Sequence, residues 1–397
     1  MAPTTGAASQ VVGIAAESAP GERRVAMVPG AMPVLKKAAV RFLIERGAGE
    51  AAGFPDAEYI EKGATMAERQ EVFRAADVIL QVRGPGANPE RGARDLALFR
   101  SGQTAIGFGE PLTSPEAARA LAERGVNFLA MELMPRITRA QNMDALSSMA
   151  TVAGYKAALM AADSLNRMFP MLMTAAGTVA PARVLVIGAG VAGLQAIATA
   201  RRLGAVVSAY DIRAAVKEQV ESLGARFVEL ELESAGAEDK GGYAKDMGQD
   251  FYRRQQELLA GVLAQQNAVI TTAAVPGKKA PVLITREMVS RMMPGSIVVD
   301  IAAERGGNCE LTRPGETVEA GGVRILGPLN LASAFPYHAS QLYARNIANF
   351  LGYLVKDGQL KLDREDEIVR ETLVTWNGEV VHPRVRELTA SPAGQAV

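Results

Sequence analysis

The clearest structural signal in this chain is the segment Arg183-Val-Leu-Val-Ile-Gly188-Ala-Gly190-Val-Ala-Gly193. Its apolar run predicts a buried strand, its glycines have the spacing GxGxxG, and Leu194–Leu203 after it predicts a helix. Gly188 permits a tight turn, Gly190 lets backbone amides approach a pyrophosphate, and Gly193 lets the helix pack against the strand. Because the glycines lie between a strand and a helix, they predict a dinucleotide site, where an isolated GxGxxG would be weak support.

The next predicted strand, Ala205–Asp211, ends on an acidic residue 18 positions after Gly193. A carboxylate there can accept hydrogen bonds from the hydroxyls of an adenosine ribose. The same charge repels a 2′-phosphate, which favours NAD(H) over NADP(H). Arg213, two residues further on, could pair with such a phosphate and keeps NADP(H) open as the alternative.

Composition limits the class of protein. The 397 residues exceed what one hydrophobic core usually serves, which predicts two domains. The 43 basic and 43 acidic side chains cancel, so we expect no nucleic-acid partner. The single cysteine, Cys309, can form no internal disulfide and has no neighbours that would make it a metal ligand. The start of the chain has no signal-peptide pattern and Met168–Ala182 is too short to cross a bilayer, so we expect a soluble, intracellular protein without a metal.

The N-terminal third of the chain alternates short β-branched runs with helical patterns, as a parallel sheet with crossover helices requires. Helices are predicted over Met32–Arg46 and over Ser114–Arg124, the second with Ser114 as its capping residue. This region has no glycine-rich phosphate loop. The clearest strands are Val11–Ala16, Asp77–Val82, Thr104–Phe108 and Asn127–Glu132.

A long helix predicted over Asp144–Met168 leads to a second series of strands, and another over Ala332–Val355 follows that series. Near the C terminus, Asn377-Gly378 between Thr372–Trp376 and Glu379–His382 predicts a hairpin. The second series has six strands, the number of a complete dinucleotide fold: Ala182–Gly188, Ala205–Asp211, Ala225–Leu230, Ala268–Ala273, Ser296–Ala302 and Val323–Gly327.

These patterns predict an α/β protein with two Rossmann-like, doubly wound parallel-sheet domains joined by long helices. Residues 1–144, completed by the C-terminal segment 329–397, would form an N-terminal Rossmann-like domain. Residues 145–328 would form the dinucleotide-binding Rossmann domain as an insert between them.

Two polar segments have both a functional and an ordinary interpretation. The segment from Met134 to Ser148 lies before a long helix at a domain junction, where small-molecule sites commonly form. It could equally be a surface loop closed by a helix cap, with Arg136 and Asp144 as a solvated ion pair. The glycine-rich Lys240–Gly248 could be a mobile flap that carries an aromatic side chain, or an ordinary surface loop.

Five segments together resemble the soluble NAD(H)-binding component, domain I, of proton-translocating nicotinamide nucleotide transhydrogenase. The resemblance covers nearly the whole chain and is far more specific than the glycine loop alone. The segments are Glu132-Leu-Met-Pro-Arg-Ile-Thr-Arg-Ala-Gln-Asn-Met-Asp144, Met173-Thr-Ala-Ala-Gly-Thr, Gly190-Val-Ala-Gly-Leu-Gln-Ala-Ile-Ala-Thr-Ala200, Gly241-Gly-Tyr-Ala-Lys-Asp-Met-Gly248 and Thr271-Thr-Ala-Ala-Val-Pro-Gly-Lys278.

The resemblance implies roles for individual residues. Arg136, Gln141 and Asp144 match the family's Arg-Gln-Asp loop. The match implies that these three are the catalytic residues and that they orient the nicotinamide. Tyr243 matches a loop that folds over the nucleotide. The other residues implied to contact or surround NAD(H) are Ser147, Gly188, Ala189, Gly190, Val191, Gly193, Asp211, Ile212, Arg213, Gly242, Gln255 and Ala274.

The resemblance also implies an activity and partners. The chain would pass hydride from NADH to NADP+ held on another subunit, with the reaction coupled to proton translocation through a membrane-spanning partner. It would act as a homodimer, with NAD(H) on this chain and NADP(H) on a separate binding domain. Because the chain carries no membrane helices, we expect a separately encoded subunit, cytoplasmic and peripheral on the inner face of the cell membrane.

Alanine dehydrogenase is the rival interpretation, since Glu17, Glu22, Arg24 and Val25 fit the opening pattern of that family. That chemistry needs an acid and a charge clamp on the substrate carboxylate. Gln81 stands where that family carries a lysine, and the segment from Thr104 to Leu112 contains no histidine. Hydride transfer between two nicotinamides moves no proton in the chemical step, so the missing acid fits a transhydrogenase. A catalytically idle NAD-binding module is the third alternative, although it would have no need of the junction loop.

Overall fold

The computed structural model describes residues 10–230, 249–274 and 277–390. The chain divides into two compact units, Met1–Met149 with Ser333–Val397, and Ala150–Ala332. Each unit is built on its own mostly parallel sheet, as the α/β fold class predicts. None of the helices in the described ranges is both long and apolar enough to span a bilayer.

The first unit contains an eight-stranded sheet. Its strands are β1 (Val11–Ile14), β2 (Arg41–Glu45), β3 (Thr65–Ala67), β4 (Val78–Arg83), β5 (Thr104–Phe108), β6 (Asn127–Ala130), β18 (Leu373–Trp376) and β19 (Glu379–Val380). Their order is β19-β18-β6-β5-β4-β1-β2-β3. The first six strands run parallel, whereas β18 pairs antiparallel with both β6 and β19. The returning C-terminal segment therefore extends the sheet that the N-terminal segment begins.

Helices and two short strands complete the first unit: α1 (Asp56–Glu61), α2 (Arg69–Ala75), α3 (Gly92–Leu98), α4 (Pro115–Glu123), α10 (Pro336–Leu354), β16 (Val355–Lys356), β17 (Gln359–Leu360), α11 (Glu367–Thr372) and α12 (Pro383–Ala390). The side chains of β4 are almost all buried, as a central strand covered on both faces requires. One core cluster includes Phe73 and Phe99, whose rings meet edge to face at 5.0 Å.

The helix predicted over Met32–Arg46 is wrong. The chain forms a 3₁₀ helix only over Met32–Ala38 and then the strand β2. Ala39 has φ of +50°, a left-handed conformation that ends the helix. Phe42 and Ile44 in β2 are buried on one face, so the alternating period of a strand prevails over the helical period that the same residues also fit.

Two short-range predictions had different outcomes. Asn377 and Gly378 have φ of +47° and +89° and join Trp376 to Glu379, which confirms the two-residue hairpin. Ser114 occupies the N-cap position of α4, as predicted, but its side chain makes no capping hydrogen bond. Pro115 at the first helical position still starts the helix where the sequence predicts it.

The second unit contains a seven-stranded sheet with its own helices. Its elements are β9 (Arg183–Ile187), α6 (Val191–Arg202), β10 (Val206–Tyr210), α7 (Lys217–Ser222), β11 (Arg226–Phe227), α8 (Gln249–Leu263), β12 (Ala268–Thr271), α9 (Arg286–Ser290), β13 (Ile297–Asp300), β14 (Thr317–Ala320) and β15 (Val323–Leu326). The sheet order is β11-β10-β9-β12-β13-β15-β14. The six parallel strands therefore have the 3-2-1-4-5-6 order of a dinucleotide-binding fold.

Three features of the second unit were not predicted. The antiparallel edge strand β14 adds a seventh strand to the predicted six. The third predicted strand shortens to the two residues of β11. An antiparallel hairpin of β7 (Leu172–Thr174) and β8 (Gly177–Val179) lies within the apolar stretch before β9.

The long helix α5 (Ala145–Ser164) runs from the first unit into the second and begins one residue after Asp144.

Candidate functional site

The glycine loop of the second unit lies at the carboxyl end of β9, beside the point where the strand order reverses between β9 and β12. Gly188 has φ of +97°, and a Cβ there would lie 2.6 Å from Thr272 Oγ1. A Cβ on Gly193 would lie 1.8 Å from the carbonyl oxygen of Gly188. Packing alone therefore requires a glycine at both positions.

Gly190 differs from the other two glycines. The nearest heavy atom to a Cβ built there is Arg213 Nη2, at 4.0 Å. The backbone has φ of −74° and ψ of −169°, which any residue can adopt. Neither packing nor backbone strain thus requires glycine at this position, which is the N-cap of α6. The open space in front of a helix N terminus is what close approach of a phosphate group needs.

Asp211 ties the glycine loop to the end of β10. Its Oδ2 accepts hydrogen bonds from the Ala189 amide at 2.7 Å and from Arg213 Nη2 at 2.8 Å. Its Oδ1 accepts from the amide and the Nε of Arg213, both at 2.9 Å. The Asp211 side chain is only 5% exposed. A ribose that binds this carboxylate must therefore compete with Arg213 for its oxygens.

The remaining predicted residues of the second unit have varied surroundings. Val191 is exposed at the first turn of α6, and Ile212 packs against a core cluster. Gln255, on α8, is 1% exposed, and its Nε2 donates to the Tyr210 hydroxyl at 2.8 Å. Burial raises the pKa of Tyr210 to about 12. Gln255 therefore supports the end of β10 from inside the unit.

Hydrogen bonds of two buried side chains, Asn308 and Asp300, support the loop that follows β12, and the sequence did not predict them. Asn308 Oδ1 accepts from the Ala273 amide at 3.0 Å, and its Nδ2 donates to the Ala273 carbonyl at 2.9 Å. Asp300 is fully buried and accepts from the Asn308 amide at 2.7 Å. Thr272 Oγ1 donates to the Gly188 carbonyl at 3.0 Å. This network holds the exposed Ala274 next to the glycine loop, and the polar residues that end β12 and β13 were its only sequence signal.

The first unit holds Arg136, Gln141, Asp144 and Ser147. Arg136 and Gln141 are exposed, and Gln141 lies in a 3₁₀ helix over Thr138–Met143. Asp144 Oδ1 accepts from the Ser147 amide at 2.9 Å, and its Oδ2 accepts from Ser147 Oγ at 2.6 Å. Asp144 thus caps α5 and brings Ser147 into contact with the predicted loop. Gly242 and Tyr243, with the rest of the predicted flap, lie outside the described residues.

Charged groups at the carboxyl edge of the first sheet pair with one another. Arg24 Nε and Nη2 donate to the two carboxylate oxygens of Glu22 at 2.7 and 2.6 Å, and Arg83 Nε donates to Glu22 Oε2 at 3.1 Å. Gln81 Nε2 donates to Asp95 Oδ2 at 2.9 Å. The Glu22 side chain has no exposed surface and that of Arg24 is 4% exposed. Both oxygens of Glu22 are therefore already bound to a buried guanidinium.

Two buried carboxyl groups border the same edge. Glu17 accepts from the amides of Val82 and Arg83, at 2.5 and 3.0 Å, and burial together with the charge of Glu22 raises its pKa to about 8. Glu132 Oε1 accepts from the amide of Gly109 at 2.8 Å, whereas its buried Oε2 has no partner among the described residues. Burial and the nearby charge of Glu110 raise the pKa of Glu132 to about 7.

Comparison with known proteins gives one consistent family. Residues 13–153 match the alanine dehydrogenase/PNT N-terminal domain and residues 157–383 match the alanine dehydrogenase/PNT C-terminal domain. The chain is 47% identical to an NAD(P) transhydrogenase subunit alpha protein of Rhodospirillum rubrum, over 94% of this chain and 98% of that protein.

A solved structure and a more distant enzyme agree with this. A crystal structure of transhydrogenase from Sinorhizobium meliloti is 48% identical and superposes with a TM-score of 0.84, covering 94% of this chain and 100% of that one. Alanine dehydrogenase of Bacillus subtilis is 27% identical, over 94% of this chain and 93% of that enzyme.

Proposed function

The chain belongs to the alanine dehydrogenase/PNT family and, within it, to the NAD(P) transhydrogenase alpha subunits, and from this we propose that it binds NAD(H) and passes hydride from NADH to NADP+ held by another subunit. The observation that carries the proposal is the glycine loop, in which Gly190 leaves space at a helix N terminus that no packing contact requires. The pyrophosphate of NAD(H) is the group that this space accommodates.

In this proposal the second unit holds the adenosine end of the nucleotide. The loop from Gly188 to Val191 cradles the pyrophosphate. The amides of Gly188 and Ala189 already donate to the Tyr210 carbonyl and to Asp211, so the amides of Gly190 and Val191 at the start of α6 supply the hydrogen bonds. Asp211 accepts hydrogen bonds from the ribose hydroxyls, after the Arg213 side chain gives up part of its contact with the carboxylate. Its negative charge repels a 2′-phosphate, and the chain therefore selects NAD(H).

The first unit orients the nicotinamide end through Arg136, Gln141 and Asp144. NADH supplies the hydride, and the transfer to a second nicotinamide takes up and releases no proton. An amide such as Gln141 can donate and accept hydrogen bonds but has no acid or base function near neutral pH, so its contribution is orientation. Asp144 is supported in one position by its two hydrogen bonds with Ser147.

An alanine dehydrogenase activity is disfavoured by the charged groups of the first unit. A clamp for a substrate carboxylate needs a guanidinium or ammonium that the substrate can reach. Arg24 is buried and chelated by Glu22, and Gln81 is buried in contact with Asp95. Reduction of an imine also needs a proton donor, and the segment from Thr104 to Leu112, where the dehydrogenases carry a histidine, contains none.

The partners follow from the same proposal. We expect a homodimer of this chain with two further components, a membrane-spanning proton channel and an NADP(H)-binding domain. The chain would lie on the cytoplasmic, inner face of the membrane through those components. Proton return through the membrane component would drive reduction of NADP+ by NADH.

One assay tests the activity directly. The purified chain is mixed with an isolated NADP(H)-binding domain of a transhydrogenase, and transfer of deuterium to NADP+ from NADH that carries deuterium at both C4 positions is measured by mass spectrometry. The same chain is offered NADH with pyruvate and ammonia. We expect exchange in the first mixture and no NADH oxidation in the second; the reverse result would establish the dehydrogenase.

A further inference from the structure

A set of side chains from the C-terminal segment holds the loop that carries Gln141, and the proposed function does not use them. Asn346 and Asn349 lie three residues apart on α10 and therefore on one face of the helix. Their Nδ2 atoms both donate to the carbonyl oxygen of Asn142, at 2.9 and 3.2 Å. One backbone carbonyl next to Gln141 thus accepts hydrogen bonds from two side chains of α10.

The same 3₁₀ helix is also held by an ion pair. Arg139 Nη1 donates to Asp366 Oδ2 at 2.9 Å and to the Tyr353 hydroxyl at 3.1 Å. The Tyr353 hydroxyl donates to the same Asp366 oxygen at 2.6 Å. Burial alone would raise the pKa of Asp366, but the hydrogen bonds from Tyr353 and Arg139 keep it below its usual value. Asp366 is itself fixed, because its Oδ1 caps α11.

These contacts hold a segment whose polar residues are exposed, while Ala140 and Met143 anchor it in the fold. Gln141, Asn142 and Arg139 are exposed, so water could take over the hydrogen bonds of the loop. Asn346 is 7% exposed, and its Oδ1 is buried without a partner among the described residues. A buried oxygen without a hydrogen bond destabilises the fold. The unpaired Oδ1 of Asn346 therefore destabilises the fold, while its Nδ2 restrains the loop.

We propose that Asn346, Asn349 and Tyr353 are positioning residues for hydride transfer, and that they act by restraining the 3₁₀ helix Thr138–Met143 from which Gln141 projects. This inference rests on the proposed function. Transfer between two rings depends steeply on their distance and alignment, so a loop with more freedom lowers the rate more than it lowers nucleotide affinity.

The test is the double variant Asn346→Ala/Asn349→Ala, with Arg345→Ala as control. Arg345 is exposed on the same helix, next to Asn346, so the control keeps the helix and its fold. NADH affinity is measured by fluorescence titration, and hydride transfer to NADP+ on the partner domain is measured in a single turnover. We expect the double variant to bind NADH within about threefold of the wild type and to transfer hydride at least tenfold more slowly. Arg345→Ala should match the wild type in both.

Three further measurements separate positioning from a structural role. Amide hydrogen exchange of Thr138–Met143 should accelerate in the double variant, while the strands of the first sheet keep their protection. Tyr353→Phe removes only a hydroxyl and should give a smaller loss of transfer in the same direction. Asn349→Ser, used in place of Asn349→Ala beside Asn346→Ala, keeps a hydrogen-bond donor and should restore part of the rate.

The outcomes distinguish this inference from the proposed function. A wild-type chain that binds NADH but transfers no hydride would overturn both. Normal transfer by a folded double variant would overturn the positioning role alone. So would parallel losses of binding and transfer, because the asparagines would then serve the fold or the nucleotide and not the alignment of the rings.

Discussion

The three glycines of the loop Gly188–Gly193 differ in a way that one pair of variants can measure. A methyl group at Gly190 meets no heavy atom closer than 4.0 Å, and the backbone there is ordinary. Alanine also reduces the conformational entropy of the unfolded chain, which stabilises a protein by about 0.4–1 kcal/mol at compatible sites. We therefore expect Gly190→Ala to leave the free energy of unfolding unchanged or to raise it slightly.

The same methyl group should weaken nucleotide binding. It occupies the space through which the pyrophosphate approaches the amides of α6, and charge-assisted hydrogen bonds weaken when they lengthen. Loss of about 1.4 kcal/mol, the equivalent of one such bond, raises the dissociation constant of NADH about tenfold. Calorimetric titration of NADH and urea unfolding of the same preparation measure both effects.

Gly193→Ala is the matched control. Its Cβ would lie 1.8 Å from the Gly188 carbonyl oxygen, so the helix must move away from β9. Overpacking of this kind typically costs about 1–3 kcal/mol of stability. If Gly190→Ala is destabilised as much as Gly193→Ala, Gly190 serves packing. If Gly190→Ala binds NADH as tightly as the wild type, the pyrophosphate does not bind next to Gly190.

Three other predictions concern separate groups. Asp211→Asn should weaken NADH binding at least tenfold, since a hydrogen bond to a charged group contributes about 1.5–3 kcal/mol. It should also strengthen NADPH binding, because the charge that repels the 2′-phosphate is removed, and this gain should vanish when Arg213→Gln is added. An unchanged NADH affinity would exclude Asp211 from the ribose site. Gln141→Asn keeps the amide but shortens it, so NADH binding should stay within about tenfold while transfer to NADP+ falls further; a loss of both to the same extent would make Gln141 a binding residue. Glu132 has a pKa raised from 4.5 to about 7, so its carboxyl group stabilises the fold fully below pH 4.5 and loses that contribution as the pH rises through 7. The contribution of Glu132 to the free energy of unfolding should fall by up to about 3 kcal/mol between pH 5 and 8, and Glu132→Gln should remove that share of the pH dependence. The share of Glu17, whose pKa is raised to about 8, should remain; a profile as steep as that of the wild type would exclude Glu132 as a contributor.

Much of the fold could be predicted because its signals are local. A buried strand followed by GxGxxG and a helix is readable within about twenty residues, and the hairpin at Asn377-Gly378 within about ten. The strand β2 could not be predicted in this way. Its residues fit both a helical and an alternating period, and the choice depends on burial against β1 and β3, which are distant in the sequence.

The candidate site divides along the same line. The positions of Gly188, Gly190 and Asp211 followed from spacing alone, and their assignment to NAD(H) remains a prediction. Arg213 forms an ion pair with Asp211. This contact depends on side-chain conformation, which the spacing of residues does not determine. The scaffold of Asp300 and Asn308 required the ends of two neighbouring strands to be brought together in space.

The sequence by itself determined the class of protein, the alternation of strands and helices and the phosphate loop, because each depends on residues within one or two turns of one another. Tertiary structure alone decided what holds the Gln141 loop. Asn142 and Asn346 are separated by more than two hundred residues along the chain, and asparagine on a helix face carries no local pattern that names its partner. Contacts of that length form only when the returning C-terminal segment packs on the N-terminal one, and so no local pattern could reveal the groups that hold this loop.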